Sequence, residues 1–391
     1  MKIKNILLLA FTIFTGLQSA HAQEKTNKKD SEYKFSMLKN LDATSIQNQN
    51  QTSTCWSFSS LSFFESELIR LGKGKDFNLS EMFVVRKIYS RKADNFVRMH
   101  GKTNFGEGGG FPDAILVLKN DGMMPEDLYS GKKDLKAPHN HKLLETTLKN
   151  ILIPASLDET QKIDFGFLHN TINAACDDFL GKVPEKFEYN GKSYTPKTYA
   201  EAMGLNADDY VFLTSFSHHP FYSSFVLEIP DNWNWQQVYN LPLNELSEVM
   251  NSAINSGYTI AWGADVSEAG FMRKDGLAIV PETPIALMTD EEKKNLSIKP
   301  VKQLNITQEI RQKAFDNYET QDDHGMHIIG QYKDQNGTLY YYVKNSWGKE
   351  SNQCDGYFFA SESYVLYKTT SIMLHKKAIP AAIAKKLGII Q

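Results

Sequence analysis

Gln49-Asn-Gln-Thr-Ser-Thr-Cys55-Trp56-Ser-Phe58 sets a thiol directly before an apolar run. From Cys55 onward, Phe58, Leu61, Phe64, Leu68 and Leu71 recur at three and four residues. That spacing is one face of a helix, and Gly72 is its expected C-terminal cap. A cysteine at a helix start meets unpaired backbone N–H groups and the positive end of the helix dipole. Both favour the thiolate, which is the nucleophilic form. Such a nucleophile needs a base, which can come from far along the chain.

Downstream, Gly106-Glu-Gly-Gly-Gly110-Phe-Pro112 reads as a loop that exposes its backbone, with a helix expected from Asp113 to Asn120. Residues 131–255 are mixed, with a polar, helix-like start and later strand-like runs such as Tyr210–Thr214. From Tyr258 the texture changes to strands, at Tyr258–Trp262, Met326–Gly330 and Leu339–Val343. Asp334-Gln-Asn-Gly337 turns between the last two, which predicts a hairpin. His324 opens that hairpin and Asn345-Ser-Trp347-Gly348 closes it. An imidazole and an amide are thereby brought together, a base and the group that orients it. Ile379–Leu387 reads as a short last helix opened by Pro380. The class is α+β, helical first and sheet last, with no internal repeat.

Composition narrows the function. The chain has 391 residues, 41% hydrophobic and 23% charged, an ordinary globular balance. A formal charge of −3 argues against nucleic-acid binding through a basic field. Three cysteines cannot build a disulfide framework, and Cys176 and Cys354 are equally readable as a pair or as two free thiols. No metal or cofactor is called for: His327, three after His324 on a strand, faces the other way, and His218-His219 reads as surface or packing. Residues 1–22 carry a basic start (Lys2, Lys4), an apolar run from Ile6 to Leu17 and Ala20-His21-Ala22, the form of a signal peptide. The run is too short to span a bilayer, and no later segment qualifies as a membrane span. The expectation is an exported protein, periplasmic or secreted, with a charge of −5 after two lysines leave with the signal. Residues 23–33 follow as a loose polar leader.

Together these motifs resemble the papain superfamily, and within it the bleomycin hydrolase and aminopeptidase C branch. The resemblance runs from about residue 40 to 365 and rests on four motifs in order. These are Gln49 six residues before Cys55-Trp56, the glycine loop at 106–112, Asp323-His324-Gly-Met, and Lys344-Asn345-Ser-Trp347-Gly. Trp262-Gly-Ala-Asp265-Val and Phe315-Asp-Asn317 also match the branch. It implies a two-lobed papain-like fold, with a helical lobe at 34–130 and a β-rich, barrel-like lobe at 256–391. The surplus between Cys55 and His324 would be a large insertion at 131–255. It implies peptide substrates and acyl-thioenzyme chemistry, with Cys55 as nucleophile and His324 as base and acid. Asn345 would orient the imidazole, and the Gln49 amide with the Cys55 N–H would hold the oxyanion. Trp347 would shield the His–Asn bond, and Gly109 and Gly110 would meet substrate backbone. Hexamers with inward-facing sites are a further implication.

The chain departs from the wider superfamily in three places. Thr52 and Glu107 stand where a disulfide would join the nucleophile segment to the glycine loop. Too few residues lie between Ala22 and Cys55 for a papain-type inhibitory prosegment. Past Leu387 only Gly388–Gln391 remain, about ten residues short of the arm that restricts the branch to free amino termini. Aminopeptidase and endopeptidase-like cleavage are therefore both open at this point. A thiol amidase or transferase on non-protein amides is the same-chemistry alternative. An inert binding protein is the remote one, because Gln49, Cys55, His324 and Asn345 are all intact.

Overall fold

The computed structural model describes residues 24–157 and 162–391. The expected signal peptide at 1–22 lies outside the described residues. The helix begun by the thiol runs from Cys55 to Arg70, and Gly72 follows it at φ +71°. It is buried on almost every side. Its serines are satisfied by back-bonding: Ser59 Oγ donates to Cys55 O at 2.8 Å and Ser60 Oγ to Trp56 O at 2.7 Å. Around it pack the helices Glu81–Arg98 and Phe111–Asn120.

Among the described residues the larger of two sheets has eleven strands. His324–Lys333 is its spine and pairs with Leu339–Lys344 along the predicted hairpin. Its other edge is shared. His324–Ile328 lies against Ile260–Ala264, and Gly330–Lys333 lies against Ser36–Asn40. One strand thus has three partners, and its register on Leu339–Lys344 shifts between Ile328 and Gly330. The helix Leu243–Asn255 and the last helix, Ala381–Leu387, share the core of this sheet.

Three expectations are corrected. Residues 36–40, grouped with the helical part, belong to the sheet, where Met37 and Leu38 stay exposed at an edge. The leader is not loose. Asn27 is fully buried and donates to Asp275 O and Ser297 O, while Tyr33, also fully buried, donates through its hydroxyl to Leu296 O at 3.1 Å. The block 131–255 does not stand apart. Its first half, through Leu144, Leu148, Ile172 and Leu180, joins the helical core. Its second half adds the strands Tyr210–Thr214, Ser224–Val226 and Gln237–Asn240 to the sheet. Arg311, wholly buried, pins this second half by donating to Ser215 O, Leu366 O and Thr369 O at 2.6 to 2.8 Å. The three cysteines are free: Cys176 lies in the helical core, and Cys354 donates to Asn27 O.

Candidate active site

The thiol helix and the His strand meet at a glycine. A Cβ on Gly325 would lie 2.8 Å from Ser59 Oγ and 3.2 Å from Trp56 Cα, so only glycine allows this approach. The Gly325 N–H donates to Cys55 Sγ at 3.4 Å, which seats the thiol beside the residue that follows His324. Thr54 caps the helix without a side-chain bond and no acid occupies its first turn, leaving the positive end aimed at the sulfur. Where the superfamily disulfide would lie, Glu107 accepts from the Ser53 N–H at 2.7 Å and its carbonyl from Trp56 Nε1 at 3.0 Å. Those bonds tie the glycine loop to the nucleophile segment.

His324 Nε2 lies 2.8 Å from Asn345 Oδ1. The same oxygen accepts from the Ser346 N–H at 2.8 Å, so it is an acceptor and Nε2 carries the proton. Neutral His324 therefore keeps its lone pair on Nδ1, free to take a proton. Trp347 stacks on the imidazole at 4.5 Å, and the Arg273 guanidinium lies 4.0 Å over the indole.

Burial dominates the electrostatics. It pushes the Cys55 thiol up to about 12, with the Gly325 N–H opposing and the Asp231 and Asp322 charges adding to the rise. It pulls His324 down to about 4, against the hydrogen bond to Asn345 and the charge of Asp323. Burial thus penalises an isolated charge on either group. Passing the proton to Nδ1 as attack begins creates one compact dipole, where separate ionisations would create two isolated buried charges.

Gln49 is buried and fixed at both ends. Its Oε1 accepts from Ser346 Oγ at 2.7 Å and its Nε2 donates to Thr52 O at 2.7 Å. One amide hydrogen is thus committed, and the second is the one available to an oxyanion. Gly109 and Gly110 line the same cavity as Cys55 and His324. Gly110 is largely committed to its own loop, since its N–H donates to Asp113 Oδ2 at 3.1 Å and its carbonyl accepts from the Asp113 N–H. His327 faces away, with Nδ1 2.8 Å from Ser62 Oγ.

Among the described residues one group has the spacing of a metal site, His218, His219 and Glu228. Ser217 N–H donates to Gln312 Oε1, which turns Gln312 Nε2 toward His218 Nδ1 at 3.0 Å. Neutral His218 then carries its proton on Nε2, which faces Glu228 at 3.1 Å. This network closes without a cation.

The sequence reading passed over the far wall of the cavity. It is built by residues 227–238 of the insertion, with Asp231, Asn232 and Asn234 beside the apolar Leu227, Ile229 and Val238. Trp233 Nε1 bonds Asp113 at 3.0 Å, Asn95 Nδ2 donates to Trp233 O, and Asn232 Nδ2 bridges Leu227 O and Gln236 O. The available signals were the dense Asp-Asn-Trp-Asn-Trp at 231–235 and the second carboxylate, Asp322, before Asp323-His324.

A model of the Peptidase C1-like family matches residues 86–389, well over half of the chain. The match begins beyond Cys55 and includes His324 and Asn345. Aminopeptidase C of Streptococcus thermophilus is 22% identical over 91% of this chain and 86% of its own length. Aminopeptidase C of Listeria innocua is 24% identical over 85% and 80%. The crystal structure of PepW from Lactobacillus rhamnosis is 20% identical, with a TM-score of 0.70 over 90% of this chain and 84% of that one. The α+β fold is papain-like, and the chain belongs to the Peptidase C1-like family of cysteine peptidases.

Proposed function

We propose that the protein is an exported aminopeptidase that works through a thioester on Cys55. One observation carries this reading: the Cys55 thiol shares a cavity with an imidazole whose proton is held on Nε2 by Asn345, 2.8 Å away. As Sγ attacks the scissile carbonyl carbon, its proton moves to His324 Nδ1. The second Gln49 amide hydrogen and the Cys55 N–H hold the developing oxyanion. His324 then gives that proton to the leaving amine as the C–N bond breaks, and the thioester forms. Water, deprotonated by the same nitrogen, returns the thiol. Trp347, stacked on the ring, keeps water from the His–Asn bond. Relatives named aminopeptidases support the free-terminus preference. The form of residues 1–22 supports export.

Hydrolysis of leucine 7-amido-4-methylcoumarin and of its N-acetyl twin, in reductant, tests the reading. The free-amine substrate should be strongly preferred, and Cys55→Ala should abolish turnover. Equal cleavage of the twins contradicts the aminopeptidase assignment. Retained activity in the variant contradicts the nucleophile. Export is checked separately: N-terminal sequencing of the protein recovered outside the cytoplasm should begin at Gln23.

A further inference from the structure

The cavity beside Cys55 carries excess negative charge that catalysis does not use. Asp231 and Asp322 both line it, and the Asp231 N–H donates to Asp322 Oδ2 at 3.3 Å. That is the only hydrogen bond to the Asp322 carboxylate among the described residues. Asp231 Oδ1 accepts from Asn104 Nδ2 at 2.8 Å, and its Oδ2 lies 2.3 Å from where a Gly108 Cβ would be. The other charges nearby are already engaged. Lys92 Nζ donates to Gly106 O and Gly108 O, Asp113 accepts from Trp233 and Gly110, and Asp323 accepts from the Val266 N–H and Ser267 Oγ. One buried ammonium, Lys92, thus answers Asp231, Asp113 and Asp322 together, a single positive charge against three carboxylates. Burial, and after it the charge of Asp231, push the Asp322 carboxyl up to about 7.

The position of this pair points to a particular ligand. The cavity is lined by Cys55, His324, Gly109 and Gly110, with neither Trp347 nor Gln49 on its wall. It therefore extends on the side of the acyl portion of the substrate, away from the indole that covers the imidazole. It ends at residues 227–238, which bring Asp231 against the glycine loop. Apolar surface from Leu227, Ile229, Val238 and Phe111 stands next to the two carboxylates. An apolar side chain and a cationic end, held close to the scissile carbonyl, are what the N-terminal residue of an unblocked peptide presents.

We propose that Asp231 and Asp322 anchor the free α-ammonium group of the substrate, and that the wall at 227–238 ends the cleft behind it. The selectivity for unblocked termini is then built from the insertion together with Asp322 of the β-rich part. The inference rests on the aminopeptidase reading above. It adds a consequence: these two charges also oppose ionisation of Cys55, so an ammonium seated on them eases attack.

The test uses the full mature chain and the same coumarin pair. Asp231→Asn and Asp322→Asn should each raise KM for the free-amine substrate about 30-fold or more, the scale of losing one partner of a buried charge pair. The preference over the N-acetyl twin should fall with it. Asp322→Glu, which keeps the charge, should retain most of the preference. Wild-type preference that survives both Asn variants overturns the anchor while leaving the aminopeptidase reading intact. No wild-type preference at all overturns both. If an Asn variant melts too low to assay, the wild type decides. The α-hydroxy isostere of leucinamide, equal in size but uncharged, should inhibit at least 30-fold more weakly than leucinamide itself. Equal inhibition overturns the anchor.

Discussion

The two sides of the cavity are made differently. The reacting groups sit on regular elements: Cys55 opens a buried helix, and His324 and Asn345 close a hairpin in the middle of an eleven-stranded sheet. The opposing wall at 227–238 is turns and a short strand edge, knitted by asparagine and tryptophan side chains. Chemistry that tolerates little displacement is placed where backbone ladders fix it. The selectivity proposed for the wall would lie where side chains can be exchanged without moving the groups on the helix and hairpin.

The comparison can be broken at several points. His324→Ala should lower turnover about 1000-fold or more, because proton transfer in both directions is lost. Asn345→Ala should cost less, about 10- to 100-fold, since the ring keeps its position under Trp347 and loses only the bond on Nε2. Equal losses would show that orientation and proton transfer are not separable. Gly325→Val should follow, with turnover tens-fold lower and about 2 kcal/mol of stability lost, as the side chain forces the strand away from the thiol helix. If this variant is fully active, the close approach does not position the thiol.

Changes to the side chains that pin or pack the insertion should act on stability or selectivity while sparing the reacting groups. Arg311→Leu leaves the carbonyls of Ser215, Leu366 and Thr369 without their donor. A fall in melting temperature of about 5 °C or more is expected. Residual activity at low temperature should stay near that of the wild type.

The smallest effect is in pH. Burial pulls His141, beneath the first half of the insertion, down to about 4. Its folded value lies below the unfolded one near 6.5, so its contribution is complete above pH 6.5 and is lost as pH falls toward 4. His141→Phe should make stability fall less steeply between pH 6.5 and 4. An unchanged slope would show that His141 does not report on this packing.

What was legible in the sequence divides along the same line. The thiol helix, the hairpin and the last helix were readable because hydrophobic period and turn residues act over a few positions. The strand at 36–40 was not, since an edge strand with Met37 and Leu38 exposed carries no alternating pattern. The leader looked loose because its order comes from residues about 250 to 270 positions away, Asp275, Leu296 and Ser297. Gln49, Cys55, His324 and Asn345 were located by motif. The state of the thiol was not, because the burial that raises it is a property of the assembled cavity. Asp231 and Asp322, 91 positions apart, meet only through that assembly.

The central claim is that acyl transfer passes through Cys55, and a trapped intermediate tests it most directly. The enzyme is mixed with leucine p-nitrophenyl ester, quenched in acid within milliseconds and digested for mass mapping. A leucyl adduct on the peptide containing Cys55, absent in Cys55→Ala, is the predicted result. Hydrolysis of the ester with no adduct on Cys55, or with equal turnover in the variant, would contradict the account.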